Sequence, residues 1–268
     1  MKFLFRIALF SLTVILLQNC QLSANPGKET NVRPSVLKGQ WYAAGKEALA
    51  KQVDDLLEKI PEPGDNSLPI RALIAPHAGY TWSGSCAAYA YKPLKGTSYK
   101  RVIIMAPSHT THFRGGSIAE FDAYETPLGQ VPLDREACDA LLKSDHFNTH
   151  PDAHTREHSI EIQLPFLQRV LGEFQLIPIV ISEINPKDCV EMADLIRPLL
   201  GEDALLVLSS DFTHQGPRFS YMPFKENIQE NVRRLDFAAV NYILNLDVRG
   251  LWNFLAMTRA TICGRSPI

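Results

Sequence analysis

The 268 residues, 46% of them apolar, suffice for one large domain or two small ones built around a true hydrophobic core. Lys and Arg number 27 against 29 Asp and Glu, a net charge of −2 with no basic run or stripe interleaved with aromatics. That balance excludes the electrostatic attraction on which nucleic-acid binding depends.

The amino terminus differs in kind from the rest. Lys2 and Arg6 flank the start of an apolar stretch from Ile7 to Leu17 that Ser11 and Thr13 interrupt. It falls short of the about 20 apolar residues of a membrane span and reads as an export signal. Residues 1–20 close on Leu16-Leu17-Gln18-Asn19-Cys20, which resembles a bacterial lipobox except at Asn19. The expectation is a protein lipid-anchored at the membrane surface, or, with cleavage near Ala24, a free periplasmic one; a lipid anchor would be its only membrane link. Residues 21–34, rich in Asn, Pro, Gly, Lys and Glu, read as a solvated tether, which leaves 35–268 as the folded domain.

Leu49, Val53, Leu56, Leu57 and Ile60 recur at helical spacing and predict a core-facing helix within 43–60, ended by Pro61, Pro63 and Gly64. Four continuous apolar runs follow, at 70–75, 102–106, 176–181 and 205–208, and suit strands covered on both faces. Helices are expected at 83–91, 134–143, 159–171, 187–200, 227–244 and 248–257. The fold class is therefore α/β, a single domain with a mostly buried central sheet flanked by helices. Cys86, Cys138, Cys189 and Cys263 are spaced for neither a zinc ribbon nor a small disulfide scaffold.

Three of the four runs stop, at their carboxyl ends, in residues that bind metals or move protons: Pro76-His77-Ala78-Gly79-Tyr80, Pro107-Ser108-His109, and Ser209-Ser210-Asp211-Phe212-Thr213-His214. Ligands of open α/β sheets bind beyond the carboxyl ends of strands, so these motifs should converge on one crevice. A lone histidine is more often a satisfied hydrogen-bonding residue, but three in one topological position argue for a ligand or acid/base site. Asp211 could orient His214, bind metal or cap a helix. A competing cluster lies at His150, His154, Glu157, His158 and Glu161: were the segment helical from Asp152, His154, His158 and Glu161 would share a face and could hold zinc, although the order is not that of a zinc protease; bracing the pocket or touching substrate suits Glu157 and His158 better. Nucleotide-loop and serine-hydrolase signatures are missing, and Ser108 reads as a local turn hydrogen-bonder. Cys263 by itself admits three readings: core, thiolate ligand or nucleophile.

Taken together, Gly39-Gln40-Trp41-Tyr42, Ala75-Pro76-His77-Ala78-Gly79-Tyr80, Gly84-Ser85-Cys86, Ala106-Pro107-Ser108-His109, Thr126-Pro127-Leu128-Gly129, Glu157-His158-Ser159-Ile160-Glu161, Ser209-Ser210-Asp211-Phe212 with His214, and Thr261-Ile262-Cys263-Gly264-Arg265 resemble the Memo family, called protein B of the AmmeMemoRadiSam system in prokaryotes. The resemblance implies the fold of class III extradiol ring-cleaving dioxygenases, which hold non-haem Fe(II) on two histidines and a carboxylate. It also implies His77, His109 and Cys263 as metal ligands, the thiolate standing for the carboxylate, and His214 as acid/base. Such a donor set suits iron, copper or zinc. Family members continue past Cys-Gly-Arg, whereas this sequence stops at Ile268, so a fragment or a version without closing strands is expected.

The function expected from these residues is a mononuclear iron or copper redox enzyme acting on a small substrate. His214 shuttles a proton, while Asp211, Glu157 and His158 orient their neighbours. Trp41, Tyr80 and Trp82 could wall the pocket, with core packing favoured for Tyr80. The rivals are a non-catalytic metal- or peptide-binding module, in keeping with the peptide recognition and metal sequestration linked to Memo proteins, and a metal-dependent hydrolase.

Overall fold

The computed structural model describes residues 30–64 and 68–268; the export signal, the lipobox and residues 21–29 of the tether lie outside the described residues. The strands are β1 Val32–Arg33, β2 Ala72–Ala75, β3 Arg101–Pro107, β4 Gly116–Ile118, β5 Ala123–Thr126, β6 Gly129–Pro132, β7 Phe147–Asn148, β8 Gln175–Ile181 and β9 Ala204–Ser209. The α-helices are α1 Lys46–Glu58, α2 Tyr80–Tyr91, α3 Arg135–Leu141, α4 Pro151–Thr155, α5 His158–Glu161, α6 Leu164–Leu171, α7 Pro186–Ile196, α8 Ile228–Leu244 and α9 Val248–Thr258. No helix among the described residues is long and apolar enough to cross a membrane.

The four apolar runs become β2, β3, β8 and β9 of a mixed six-stranded sheet in the order β2-β9-β3-β8-β4-β7. Its first four strands run parallel to one another and β4 runs antiparallel to β8. Val102–Pro107 of β3 and Leu176–Ile181 of β8 are buried throughout, as continuous apolar runs between helices should be. The α/β expectation therefore holds, and the layout agrees with a dioxygenase-like fold. A second sheet, β1-β5-β6, is smaller. Its strands, like β4 and β7, are too short to show a period in the sequence.

Helix α1 buries Leu49, Val53 and Leu57, one stripe at helical spacing, against α2 and α6. The close α1–α2 approach needs Gly84, where a Cβ would meet Leu56 Cδ1 at 2.8 Å. The helix expected over 159–171 is two helices, because Pro165 has no amide hydrogen to donate and its ring collides with a preceding carbonyl. Likewise the helix expected to reach residue 200 gives way after Ile196 to a 3₁₀ turn containing Pro198. Val32–Arg33, which composition assigns to the tether, pairs with β5, and Arg33 is fully buried. Its guanidinium forms an ion pair with buried Glu161 and donates to His154 O at 2.6 Å and Glu157 O at 2.7 Å. This contact fastens the α4–α5 turn to the start of the domain.

Candidate metal centre

Strands β2, β9 and β3 are neighbours, with Ala75 opposite Ser209 and Leu208 opposite Met105, so their carboxyl ends finish nearly level. The loops beyond them bring His77, His109, Asp211 and His214 together, as the convergence of three strand ends requires. The His77 and His109 rings lie 5.0 Å apart, and His158, from the amino end of α5, lies 4.3 Å from His109 and 5.5 Å from His77 between ring centroids. Cys263, 186 positions beyond His77, places Sγ 3.0 Å from His77 Nε2. The donors group into two trios that share His77: His77, His109 and His158, and His77, Asp211 and Cys263, each with ligand atoms within 4.8 Å of one another. His109 and Cys263 thus fall in different trios.

Hydrogen bonds at the far nitrogens orient the rings. His109 Nδ1 lies 2.9 Å from Glu157 Oε1, and Glu157 Oε2 accepts from the His109 amide at 2.6 Å. His214 Nδ1 donates to Thr261 O at 3.0 Å, and the His214 amide donates to Thr261 Oγ1 at 2.8 Å. His77 Nδ1 meets Ser209 Oγ at 2.9 Å. The Nε2 atoms of these rings are left for the pocket, the orientation found in metal-ligating histidines whose other nitrogen donates to an oxygen. The side chains present therefore suit a metal ion in their chemistry and their orientation.

Burial pushes His77 down to about 3 and His158 to about 4, which keeps both rings neutral and able to ligate. Burial would raise Glu157, but its hydrogen bonds to the His109 ring and amide overcome this and hold it at about 2. Asp211 is likewise raised by burial yet held at about 2 by His214 and His77; its Oδ1 accepts from the His77 amide at 2.7 Å, and its Oδ2 lies 3.7 Å from His214 Nε2. The facing Asp211 carboxylate raises His214 above its ordinary value. Burial, and then the Asp211 charge, push the Cys263 thiol up to about 12. A cation would have to displace that proton, since the thiolate is the ligand.

The ring of Trp41 packs 4.6 Å from His158, between centroids. Trp82, 86% exposed, borders the same cleft of about 460 Å³, which His77, His109, His158, Asp211 and His214 also line. Tyr80 is core, with its hydroxyl donating to Ile162 O at 2.8 Å. Ser108 Oγ donates to Thr111 O, a local turn bond. The zinc reading of His154, His158 and Glu161 fails. Helix α4 ends at Thr155 before α5 begins, His154 sits between Tyr124 Oη at 2.9 Å and Ser117 Oγ at 3.1 Å, and Glu161 is occupied by Arg33. Cys86, Cys138 and Cys189 are unpaired, as is Cys263. Ser209, Gln163 and Thr261 bear directly on the site, yet as common polar residues beside or inside apolar runs they carry no sequence signal of it.

A mixed α/β sheet with a cluster of imidazole, carboxylate and thiol donors beyond its parallel strand ends defines a protein equipped to hold a metal ion. The family model described as Memo-like protein matches residues 33–268. The chain is 34% identical to human Protein MEMO1 over 239 residues, covering 86% of this chain and 80% of that protein. It is 32% identical to the Caenorhabditis elegans Protein memo-1 homolog over 265 residues, 96% of this chain and 75% of the relative. The chain belongs to the Memo family.

Proposed function

We propose that the protein holds one metal ion, iron or copper with zinc as the third option, on His77, His109 and Cys263, and is a redox enzyme for a small substrate. The observation that carries this reading is the 3.0 Å approach of Cys263 Sγ to His77 Nε2, two metal-ligating atoms brought together from 186 positions apart. When bound, iron or copper supplies one-electron and oxygen chemistry that no side chain here provides.

In this reading His214, whose Nε2 faces the Asp211 carboxylate that raises it, accepts and returns a substrate proton, and Asp211 keeps the ring facing the cleft. Glu157 fixes His109, while His158 and Trp41 form the wall against which a flat substrate would lie. Trp82 at the exposed rim suits a guiding role on entry. Export by the amino-terminal segment belongs to the same proposal and is tested by mass analysis of the mature amino terminus.

The deciding experiment is elemental analysis of protein purified without oxygen or chelators. About one metal per chain is expected in the parent, lost in Cys263→Ala and His109→Ala and kept in His158→Ala and His214→Gln. Loss in His158→Ala with retention in Cys263→Ala would move the ion to the three-imidazole trio. A parent that refuses Fe(II), Cu(I) and Zn(II) would overturn the reading. Product formation in the absence of O2 would indicate hydrolysis instead.

A further inference from the structure

We propose that Ser209 is a positioning residue that fixes His77 as the Nδ1–H tautomer, with Gln163 and Tyr91 fixing Ser209 in turn. Ser209, the last residue of β9, is fully buried. Its Oγ has three neighbours: Ser159 O at 2.6 Å, Gln163 Nε2 at 2.9 Å and His77 Nδ1 at 2.9 Å. A hydroxyl has one hydrogen and two lone pairs. Ser159 O can only accept, so the hydroxyl hydrogen goes there. Gln163 Nε2 can only donate, so it takes one lone pair. The remaining lone pair needs a donor, and the only atom facing it is His77 Nδ1, which must therefore carry the ring's hydrogen.

The orientation of Gln163 is fixed independently. Its Nε2 also donates to Pro76 O at 3.0 Å, and its Oε1 accepts from Tyr91 Oη at 2.7 Å. A flipped amide would set its oxygen against the Pro76 carbonyl, two acceptors face to face. Gln163, Tyr91 and Ser209 are all buried, so water does not compete for these bonds. The chain Tyr91–Gln163–Ser209–His77 therefore has one consistent direction, and it ends with a bare Nε2 aimed at Cys263 Sγ. The tautomer assignment stands without any metal; its consequence for cation binding rests on the function proposed above.

The test is a long-range ¹H–¹⁵N correlation spectrum of metal-free, ¹⁵N-labelled protein near neutral pH, with the His77 ring identified by its disappearance in His77→Gln. The nitrogen coupled to both carbon-bound ring protons is Nε2, and it is expected at the unprotonated, pyridine-type shift. A pyridine-type Nδ1 in the parent would overturn the assignment without recourse to any variant. Ser209→Ala should move the ring toward a mixture of tautomers and Ser209→Thr, which keeps the oxygen, should restore the parent pattern; a Ser209→Ala spectrum identical to the parent's would remove Ser209 from the role. Zn(II) affinity, read by competition with a chromogenic chelator, should fall about 10–100-fold in Ser209→Ala and recover in Ser209→Thr. Unchanged affinity alongside a changed tautomer would count against His77 as a ligand while leaving the tautomer assignment intact.

Discussion

Arg33→Met isolates one buried guanidinium that fastens the turn presenting Glu157 and His158. Methionine preserves much of the side-chain length, so packing is largely kept. Glu161 is left buried with its charge unmatched, and the carbonyls of His154 and Glu157 lose their donors. Removing one partner of a buried ion pair costs about 3–5 kcal/mol. Glu161 keeps donors at Ser35 Oγ, Val36 N, Leu37 N and Tyr42 Oη, which puts the expectation at the lower end, about 3 kcal/mol. At about 2–4 °C per kcal/mol for a domain of this size, the melting temperature should fall by about 6–12 °C. Urea and thermal unfolding followed by circular dichroism on metal-free protein measure both quantities. Glu161→Gln combined with Arg33→Met should lose less than the sum of the single losses, since the pair is coupled. A loss under about 1 kcal/mol, the range of exposed pairs, or strict additivity, would refute the reasoning.

Three further outcomes are expected. A Cβ at Gly264 would overlap Ser210 Cβ and Oγ and meet Ser209 O at 2.7 Å. Gly264→Ala should therefore push Cys263 off the end of β9 and reduce metal retention with every proposed ligand still present; unaltered metal content would contradict it. His77 and His154 stay neutral in the fold down to about 3 and His158 to about 4, whereas the unfolded chain takes up these protons near 6.5. Stability should thus be full above that pH and fall as pH drops through the window, by up to about 1.4 kcal/mol per pH unit for each histidine. Glu157 and Asp211, both held at about 2, add a further loss as pH falls below their unfolded values of 4.5 and 3.8. Equal urea midpoints at pH 7 and pH 5 would speak against this. His214, raised by Asp211, contributes stability that is complete below 6.5 and vanishes as pH rises through its folded value; His214→Gln should show a flatter alkaline limb than the parent.

The sheet and the strand-end histidines were legible in the sequence because each declares itself locally. A continuous apolar run needs no partner to be recognised, and His77, His109 and His214 each lie within six residues of the end of one. The supports of the site were not legible. Arg33 lies in a stretch whose composition reads as solvent-exposed, and its partner Glu161 is 128 positions away. Gln163 sits where helical periodicity conceals the break before Pro165, and Ser209 looks like the polar end of a strand. The roles of Gln163 and Ser209 depend on which atoms share one oxygen, which no local pattern encodes.

Strand β9 is the last of the sheet's strands in the chain, yet it lies between β2 and β3. Residues 204–209 thus join the strands that carry the His77 and His109 loops, and Cys263 follows later still. A seat that joins an imidazole to a thiol across 186 positions is complete only when the segment after α9 has reached the loop after β2. On the function proposed above, an ion held there would act as a clasp between the loop after β2 and the segment after α9, and its release would report their separation.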